Sequence, residues 1–458
     1  MLVMLATLIL LTHTSNFHRD HGNSWQTRVS SSLTPETTLT PTPAPTPAGT
    51  IYYVDKALGN DNNPGTEKRP FSTIRKAAEN LSPGDAVYVK NGTYDEGWDG
   101  VKITRSGNSI NWIIFKAFPE HRPLVTSAHD GTFTVEANYI EINGFEIIQT
   151  TQGSGIHVGK GNHHTRVMNN IIHHCGCGGI SGQETDYLHI EGNITHHNAF
   201  TSPWQCSGIS IYQAKAFDNK SGFHNVIRGN ISYSNENRVA NREGKITDGN
   251  GIIIDDFRHT QSRNLSAKYT ASTLIENNII FDNGGRGIHV FYSDNVVVRN
   301  NTIFKNLKTS QLDGQLNGEL STLFSSNILI FNNIVYSNNM SKQAFIDDYS
   351  NNNYWDYNLA YQGNIQVKNG HSGAVLGSHN LRDVDPQFIN PSIEPAVANF
   401  HLQPTSPAID AGTSMNVAST DFDGNTRPSG SRYDIGAYEF NSETTGKLSK
   451  KKVRGLQQ

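Results

Sequence analysis

The chain has 458 residues and 41 glycines, only 17% of its residues are charged, and its formal net charge is −4. This balance gives no general attraction to nucleic acids or acidic membranes, so a polyanionic ligand would need a local basic cluster. The length would ordinarily correspond to two or three globular domains, unless the fold is a repeat that grows along one axis.

The N-terminal region does not have the pattern of a folded domain. Residues 1–24 begin with the apolar run MLVMLATLILL, which is too short to cross a bilayer as a helix and is typical of a signal peptide. Residues 25–50 form a Thr- and Pro-rich linker, which we expect to be stiff and extended. Together these two segments predict an extracellular protein, either secreted or held at the cell surface.

The folded part is predicted to begin at Ile51 with a strand and a turn. A short helix follows between Ser72 and Leu81, with its apolar residues on one face, and Pro83 and Gly84 end it. A small amphipathic helix of this kind is suited to cover the open end of a stacked repeat.

A short phrase then recurs through the middle of the chain. Each copy has a β-rich tripeptide, then Asn-Asn or Gly-Asn, then a second β-rich stretch that ends in Asn. Its period-two alternation and its Ile, Val and Thr content favour stacked β-coils, in which an Asn side chain bonds along the stack at a left-handed turn. Aligning the copies places these asparagines in one column: Asn170, Asn193, Asn230, Asn278, Asn301 and Asn333.

A second column can be aligned on the dipeptide Gly-Ile, which opens another strand in each coil. The isoleucines of this column should point inward, so every second residue points outward. The inward residues are Ile156, Ile180, Ile209, Ile252 and Ile288, and the outward ones include His157, Ser181, Tyr212, Asp255 and His289. Because the largest insertions flank this face, we expect the active site around residues 208–292.

Stacking the coils also brings Cys177 and Cys206 together, because each lies two residues before the glycine that opens a strand. Their α-carbons should be roughly 5 Å apart if the coils are adjacent, which is within the range of a disulfide. A disulfide and two free buried thiols both remain open at this point.

Two segments and the asparagine-bearing coils carry a resemblance to a known family. The segments are YYVDKALGNDNNPGT and PFSTIRKAAENLSPGDAVYVKNGTY. They resemble the right-handed parallel β-helix proteins of the secreted polysaccharide lyase-like superfamily, which includes pectate and alginate lyases. The resemblance implies an all-β fold, a right-handed parallel β-helix with a short N-terminal capping helix, over residues 51–380. Residues 381–440 resemble the closing segment of exported bacterial β-helix proteins, and residues 441–458 form a basic tail. The scaffold carries several chemistries, so the resemblance is specific for fold only.

The residue types on the outward face fit β-elimination from a uronic acid polysaccharide such as alginate or pectate. Elimination requires a neutralised carboxylate, a base that removes the C5 proton and an acid that protonates the leaving oxygen. We predict that Lys245 is the base, that Tyr212 is the acid and that Arg286 holds the uronate. The predicted substrate-binding residues are His157, His289, Arg242, Arg258 and Tyr292.

Three carboxylates near this face predict a calcium site, because Ca²⁺ prefers oxygen ligands. They are Asp248, Asp255 and Asp256. The same carboxylates would also serve a glycoside hydrolase, and a non-catalytic carbohydrate-binding or adhesive protein is a further alternative. We expect an acidic polysaccharide as partner, no nucleic acid, and a monomer.

Overall fold

A computed structural model describes residues 45–128, 131–148, 151–261, 267–314, 316–338, 342–367, 374–415 and 417–441. The predicted signal peptide, most of the linker and nearly all of the basic tail lie outside these residues. Within them, no helix is long and apolar enough to cross a membrane.

Most of the described residues form a right-handed parallel β-helix with three long sheets, as predicted. Sheet 1 contains β1 (Ile51–Val54), β2 (Ala86–Val89), β5 (Ile113–Ala117), β8 (Ile140–Asn143), β11 (His163–Met168), β14 (Asp186–Glu191), β17 (Phe223–Arg228), β20 (Ser272–Glu276), β23 (Val296–Arg299), β26 (Leu329–Phe331), β29 (Tyr354–Asp356) and β32 (Val375–Leu376).

Sheet 2 contains β4 (Val101–Ile103), β7 (Phe133–Val135), β10 (Ile156–Val158), β13 (Ile180–Gln183), β16 (Ile209–Tyr212), β19 (Ile252–Asp255), β22 (Ile288–Phe291), β25 (Gly318–Leu323), β28 (Gln343–Asp348) and β31 (Asn364–Val367). Sheet 3 contains β3 (Thr93–Asp95), β6 (Leu124–Thr126), β9 (Glu146–Ile148), β12 (Ile171–His173), β15 (Ile194–His196), β18 (Ile231–Tyr233), β21 (Ile279–Phe281), β24 (Thr302–Phe304), β27 (Ile334–Tyr336), β30 (Leu359–Tyr361) and β33 (Leu381–Arg382).

The asparagine column forms a buried ladder. From Asn170 to Asn358, each side-chain amide donates to the side-chain oxygen of the next asparagine at 2.9–3.1 Å. The left-handed backbone belongs to the residue before each ladder asparagine, such as Asn169 with φ 55° and Gly192 with φ 69°. The column therefore stabilises the turn through hydrogen bonds, and the neighbouring residue provides the left-handed conformation.

The Gly-Ile column has the predicted register in sheet 2. Ile156, Ile180, Ile209, Ile252 and Ile288 pair in sequence on adjacent strands and are fully buried. Tyr212 and Asp255 are register partners on adjacent strands, and both side chains point away from the core. The repeat thus fixes which side chains point away from the core on this sheet.

The two ends of the folded region differ from simple coils. The helix α1 spans Ile74–Ala78, which is shorter than predicted, and Thr73 caps it by accepting a hydrogen bond from the Lys76 amide. After the last coil, β34 (Phe388–Asn390) and β35 (Asn399–Leu402) form an antiparallel pair. Apolar residues of this C-terminal segment, including Phe400 and Tyr438, pack along the outer face of sheet 3.

Candidate active site

A cleft of about 830 Å³ lies on the outer face of sheet 2, over the strands from β4 to β19. The ionisable side chains that line it are Lys102, Glu136, His157, Tyr212, Asp248 and Asp255. The cleft lies nearer the N-terminus than predicted, because β22 does not contribute to it. The two insertions do form part of its wall, since Thr247 and Gln261 are among its lining residues.

Two aspartates from one coil face this cleft. Asp255 ends β19, and its Oδ1 accepts a hydrogen bond from Gln261 Nε2 at 3.0 Å. Asp248 lies on the loop before β19, where its oxygens accept from Asn250 Nδ2 at 2.7 Å and Thr247 Oγ1 at 2.9 Å. The coil therefore presents a pair of carboxyl groups to any ligand in the cleft.

The surroundings of the two aspartates shift their pKa values to different extents. Burial, the Asp248 carboxylate and the Asp256 carboxylate raise the pKa of Asp255 well above its ordinary value. Burial also raises the pKa of Asp248, but the Arg286 guanidinium and the hydrogen bonds from Asn250 and Thr247 act against this rise. Asp255 is thus the better proton donor of the pair, and Asp248 is the one whose charge is better supported.

Tyr212 and His157 complete the polar wall of the cleft. Burial and the Asp255 carboxylate raise the pKa of Tyr212 to about 12, so the phenol keeps its proton at neutral pH. His157 Nδ1 lies 2.9 Å from Ser181 Oγ, and burial lowers the pKa of the imidazole. Both side chains are therefore neutral hydrogen-bonding groups in the unliganded cleft.

Asp256 does not join the other two aspartates in the cleft. It is fully buried, and its carboxylate accepts four hydrogen bonds, from Gln213 Nε2, the Thr260 amide, Thr260 Oγ1 and the Gln261 amide. In the part of the chain that the structure describes, no group of three or more His, Cys, Asp or Glu side chains is arranged to hold a metal. The side chains as placed therefore do not fit the predicted three-aspartate calcium site, because Asp256 stabilises a turn instead.

Lys245, the predicted base, lies outside the cleft. Ile246 forms a parallel β-bridge with Leu312, and this bridge directs the Lys245 Nζ to within 3.4 Å of Asp313 Oδ2 on the surface. The structure therefore does not bring Lys245 to Tyr212. Sequence spacing could not reveal this, because the bridge partner is 66 residues away along the chain.

Arg286 and His289 are buried rather than exposed to a ligand. Arg286 is only 6% exposed and donates through Nη1 to the Thr247 carbonyl at 2.8 Å, so it supports the Asp248 loop from behind. His289 is covered, and its Nδ1 lies 2.7 Å from Ser321 Oγ. Arg286, predicted to hold the uronate, is therefore not placed at the surface of the cleft, because the 235–251 insertion contacts it through Thr247.

The remaining predicted binding residues are not among the residues that line the cleft. Arg258 donates from Nη2 to Asp294 Oδ1 at 2.6 Å, and Tyr292 stacks on Phe324 with ring centroids 4.5 Å apart. Arg242 is exposed, and its guanidinium lies 5.4 Å from the ring centroid of Trp204 at the cleft wall. Of these three, only Arg242 contacts a residue of the cleft.

Residues 52–317 match the family described as "Pel9A-like, right handed beta helix region". This match covers more than half of the chain and includes every aspartate of the cleft. The chain belongs to this β-helix family. The match agrees with the three parallel sheets and with the resemblance seen in the sequence.

The proteins that are similar to this Pel9A-like chain are named as different kinds of enzyme. A lacto-N-biosidase of Bifidobacterium longum is 23% identical over 75% of the chain, which spans only 26% of that relative's length. The crystal structure of pectate lyase Pel9A superposes with a TM-score of 0.52 at 18% identity, covering 86% of this chain and 97% of the lyase. A rhamnogalacturonan lyase structure has a TM-score of 0.48 at 18% identity, covering 75% and 91% of the two chains. The likeness to the Pel9A structure agrees with the β-helix fold.

Sequence reasoning did not identify several residues of the cleft wall, among them Lys102, Glu136, Trp204, Gln205 and Gln261. Trp204 and Gln205 immediately precede Cys206. The predicted pairing of the cysteines could therefore have placed both residues beside the strands of sheet 2. Cys177 and Cys206 form a disulfide with α-carbons 5.3 Å apart, which settles the alternatives left by the sequence. Gln261 gave no signal, because its role depends on the turn closed by Asp256.

Proposed function

We propose that the protein is a glycoside hydrolase in which Asp255 is the general acid and Asp248 is the nucleophile or general base. The observation that carries this proposal is the pair of carboxyl groups in one cleft with pKa values raised to different extents. Glycosidases require one protonated and one ionised carboxyl group on opposite sides of the scissile bond.

The reaction assigned to the pair is proton transfer coupled to bond cleavage. Asp255 protonates the glycosidic oxygen as the C1–O bond breaks, so the leaving sugar departs with a new hydroxyl group. Asp248 either bonds to C1, after which a water molecule that gives its proton to Asp255 displaces Asp248 from C1, or removes a proton from a water molecule that attacks C1 directly. In both cases C1 gains the hydroxyl group of water. Arg286 and Thr247 act only through Asp248, by holding its loop and supporting its charge.

The similarity to a lacto-N-biosidase supports this assignment, because that relative is named as a glycosidase. The matching region spans about a quarter of the relative, and the substrate named there is not transferred to this chain. The shared chemistry that we propose is hydrolysis of a glycosidic bond.

The test is product analysis with purified protein on a panel of neutral polysaccharides, alginate, pectate and glycosaminoglycans. We expect new reducing ends without an increase in near-ultraviolet absorbance, and loss of turnover in Asp255→Asn and Asp248→Asn. An unsaturated product absorbing in the near ultraviolet would overturn hydrolysis in favour of elimination.

Elimination from a uronic acid polysaccharide is the second candidate, and the observation that favours it is Tyr212. This phenol lines the cleft in register with Asp255 and keeps its proton at neutral pH, so it could protonate a leaving oxygen. Lys245 is not available as its base partner, because it pairs with Asp313. Under elimination, Tyr212→Phe would abolish turnover, whereas under hydrolysis we expect a reduction of no more than about tenfold.

We also propose that the protein works outside the cell. The Cys177–Cys206 disulfide supports an oxidising compartment, and the apolar N-terminal segment and Thr-Pro linker support export or attachment at the cell surface. Mass spectrometry of the protein recovered from the culture medium and from the cell envelope would test this. Recovery only from the cytoplasm with both thiols reduced would contradict it.

A further inference from the structure

An exposed tryptophan lies at the wall of the candidate active site. Trp204 is 68% exposed, although it lines the same cleft as Asp248 and Asp255. An exposed indole next to carboxyl groups in a cleft offers a flat apolar face on which a sugar ring can stack. The proposed hydrolase would have to hold sugar rings on either side of the bond that it cleaves.

The backbone around Trp204 is fixed from several directions. The neighbouring Cys206 is bridged to Cys177, and its amide and carbonyl both bond the side chain of Asn237, at 3.1 and 3.0 Å. Gln205 donates to the Val239 carbonyl at 2.9 Å and accepts from the Thr247 amide at 2.8 Å. The backbone next to Trp204 is therefore ordered before a ligand binds, so binding has no need to order it.

The Gln205 contact also couples the ring to the catalytic pair. Thr247 precedes Asp248 and donates its hydroxyl hydrogen to that carboxylate. The tryptophan loop and the aspartate loop are therefore joined by a direct hydrogen bond. A sugar resting on Trp204 would have a defined position relative to Asp248.

The charges in the cleft limit which sugar can rest there. Glu136 and Asp248 supply two carboxylates and Asp255 supplies a protonated carboxyl group, whereas Lys102 supplies one ammonium group. This acidic excess repels a uronate ring next to the aspartates. The exposed Arg242 guanidinium lies 5.4 Å from the indole centroid, so a uronate at this position would meet a cation as well as the carboxylates, and the binding test below includes uronates for this reason. An uncharged pyranose, with an apolar face and no carboxylate, is compatible with both features.

We propose that Trp204 is a stacking platform for an uncharged pyranose ring, forming a sugar-binding subsite next to Asp248 and Asp255. The location of this subsite rests on the proposed function, but its sugar binding can be measured without turnover. The acidic polysaccharide expected from the sequence is the alternative ligand that the test distinguishes from a neutral glycan.

The test is binding to a glycan array that carries neutral oligosaccharides and uronate oligosaccharides, with every variant in the Asp255→Asn background. Trp204→Ala removes the ring, Trp204→Phe keeps an aromatic face, and Trp98→Ala removes a tryptophan that is 62% exposed outside the cleft. We expect Trp204→Ala to weaken binding to neutral glycans about tenfold or more, as removing a stacked ring does. Trp204→Phe should keep most of the affinity, and Trp98→Ala should bind like the parent.

Several outcomes would overturn the platform: binding that is confined to uronates, binding that Trp204→Ala leaves unchanged, or no binding to any glycan on the array. The reaction is judged separately, by comparing the turnover of the parent protein with that of Asp255→Asn. If Asp255→Asn keeps full turnover while binding depends on Trp204, the hydrolase assignment fails and the platform stands. If Asp255→Asn is inactive but Trp204→Ala binds normally, only the platform fails.

Discussion

Two groups of acidic side chains on this β-helix differ in whether cationic side chains form ion pairs with them. On the outer face of sheet 1, Glu191, Arg228, Glu276 and Arg299 occupy one register on successive strands and form ion pairs. Burial raises the pKa of Glu276, but the guanidinium groups of Arg299 and Arg228 outweigh this effect and hold the pKa below its ordinary value. This ladder of alternating charge is a structural feature of the solenoid.

The aspartates of the sheet 2 cleft have the opposite electrostatics. In the described part of the chain, neither Asp248 nor Asp255 has a Lys, Arg or His nitrogen in ion-pair contact, and the pKa of Asp255 is raised well above its ordinary value. A paired buried carboxylate stabilises the fold in its charged form, whereas an unpaired one keeps a proton that it can transfer. The difference indicates which of the two acidic regions is suited to chemistry.

The largest expected effect comes from changing adjacent residues of the cleft coil. Asp255→Asn should lower kcat at least about a thousandfold, because the proton donor is lost, and should leave the unfolding free energy unchanged or slightly higher. Asp256→Ala should instead cost about 2–4 kcal/mol of stability, since four hydrogen bonds to a buried carboxylate disappear. Urea unfolding and turnover would be measured on both variants. Equal losses of stability in the two would contradict the distinction.

Breaking the sheet 1 ladder should affect stability alone. Glu276→Leu leaves Arg228 and Arg299 without their shared carboxylate, and we expect a loss of about 3 kcal/mol in the unfolding free energy with kcat unchanged at a temperature where the variant is folded. Lys160→Ala is the matched control, because it removes an exposed pair with Glu184 and should cost less than about 1 kcal/mol. A fall in kcat for folded Glu276→Leu would mean that the two faces are coupled.

Glu319 sharpens the comparison, because it is a buried carboxyl group outside both regions. It ends a second ladder, of Asn198, Asn235, Asn283 and Asn306, and burial raises its pKa to about 7. Between pH 4.5 and 7 the unfolded chain releases this proton while the folded chain keeps it, so stability should fall as pH rises. In Glu319→Gln, the difference in unfolding free energy between pH 5 and pH 8 should be smaller by about 2–3 kcal/mol. An unchanged difference would show that the carboxyl group is not protonated in the fold.

The fold could be predicted from the sequence because its signals are local and repeated. The asparagine and Gly-Ile columns fixed the stacking order, the inward and outward faces, and the position of Cys177 opposite Cys206. The second ladder was not predicted, although the repeats end in Asn. Its last member is Glu319, which is a different residue type in a different strand.

The site was predicted less well, because its decisive contacts come from insertions without a repeat. Tyr212, His157, Asp248 and Asp255 were placed by register or lie beside a strand, and the structure brings them to one cleft. Lys245, Arg286 and Asp256 lie on or beneath irregular segments, where a bridge to Leu312, a covering loop and a closed turn determine their direction. Residue type alone could not distinguish a ligand-facing side chain from one that holds a loop.

The central claim is that Asp255 keeps its proton because it lies half-buried in the cleft next to Asp248. The most direct test is the pKa of Asp255 in the free protein, measured by NMR on a sample labelled with ¹³C at the aspartate carboxyl carbons. The resonance is assigned by its absence in Asp255→Asn. We predict that Asp255 titrates well above the ordinary aspartate value of 3.8, and that Asp248→Asn lowers its pKa. A titration at the ordinary value that does not respond to Asp248→Asn would contradict the account.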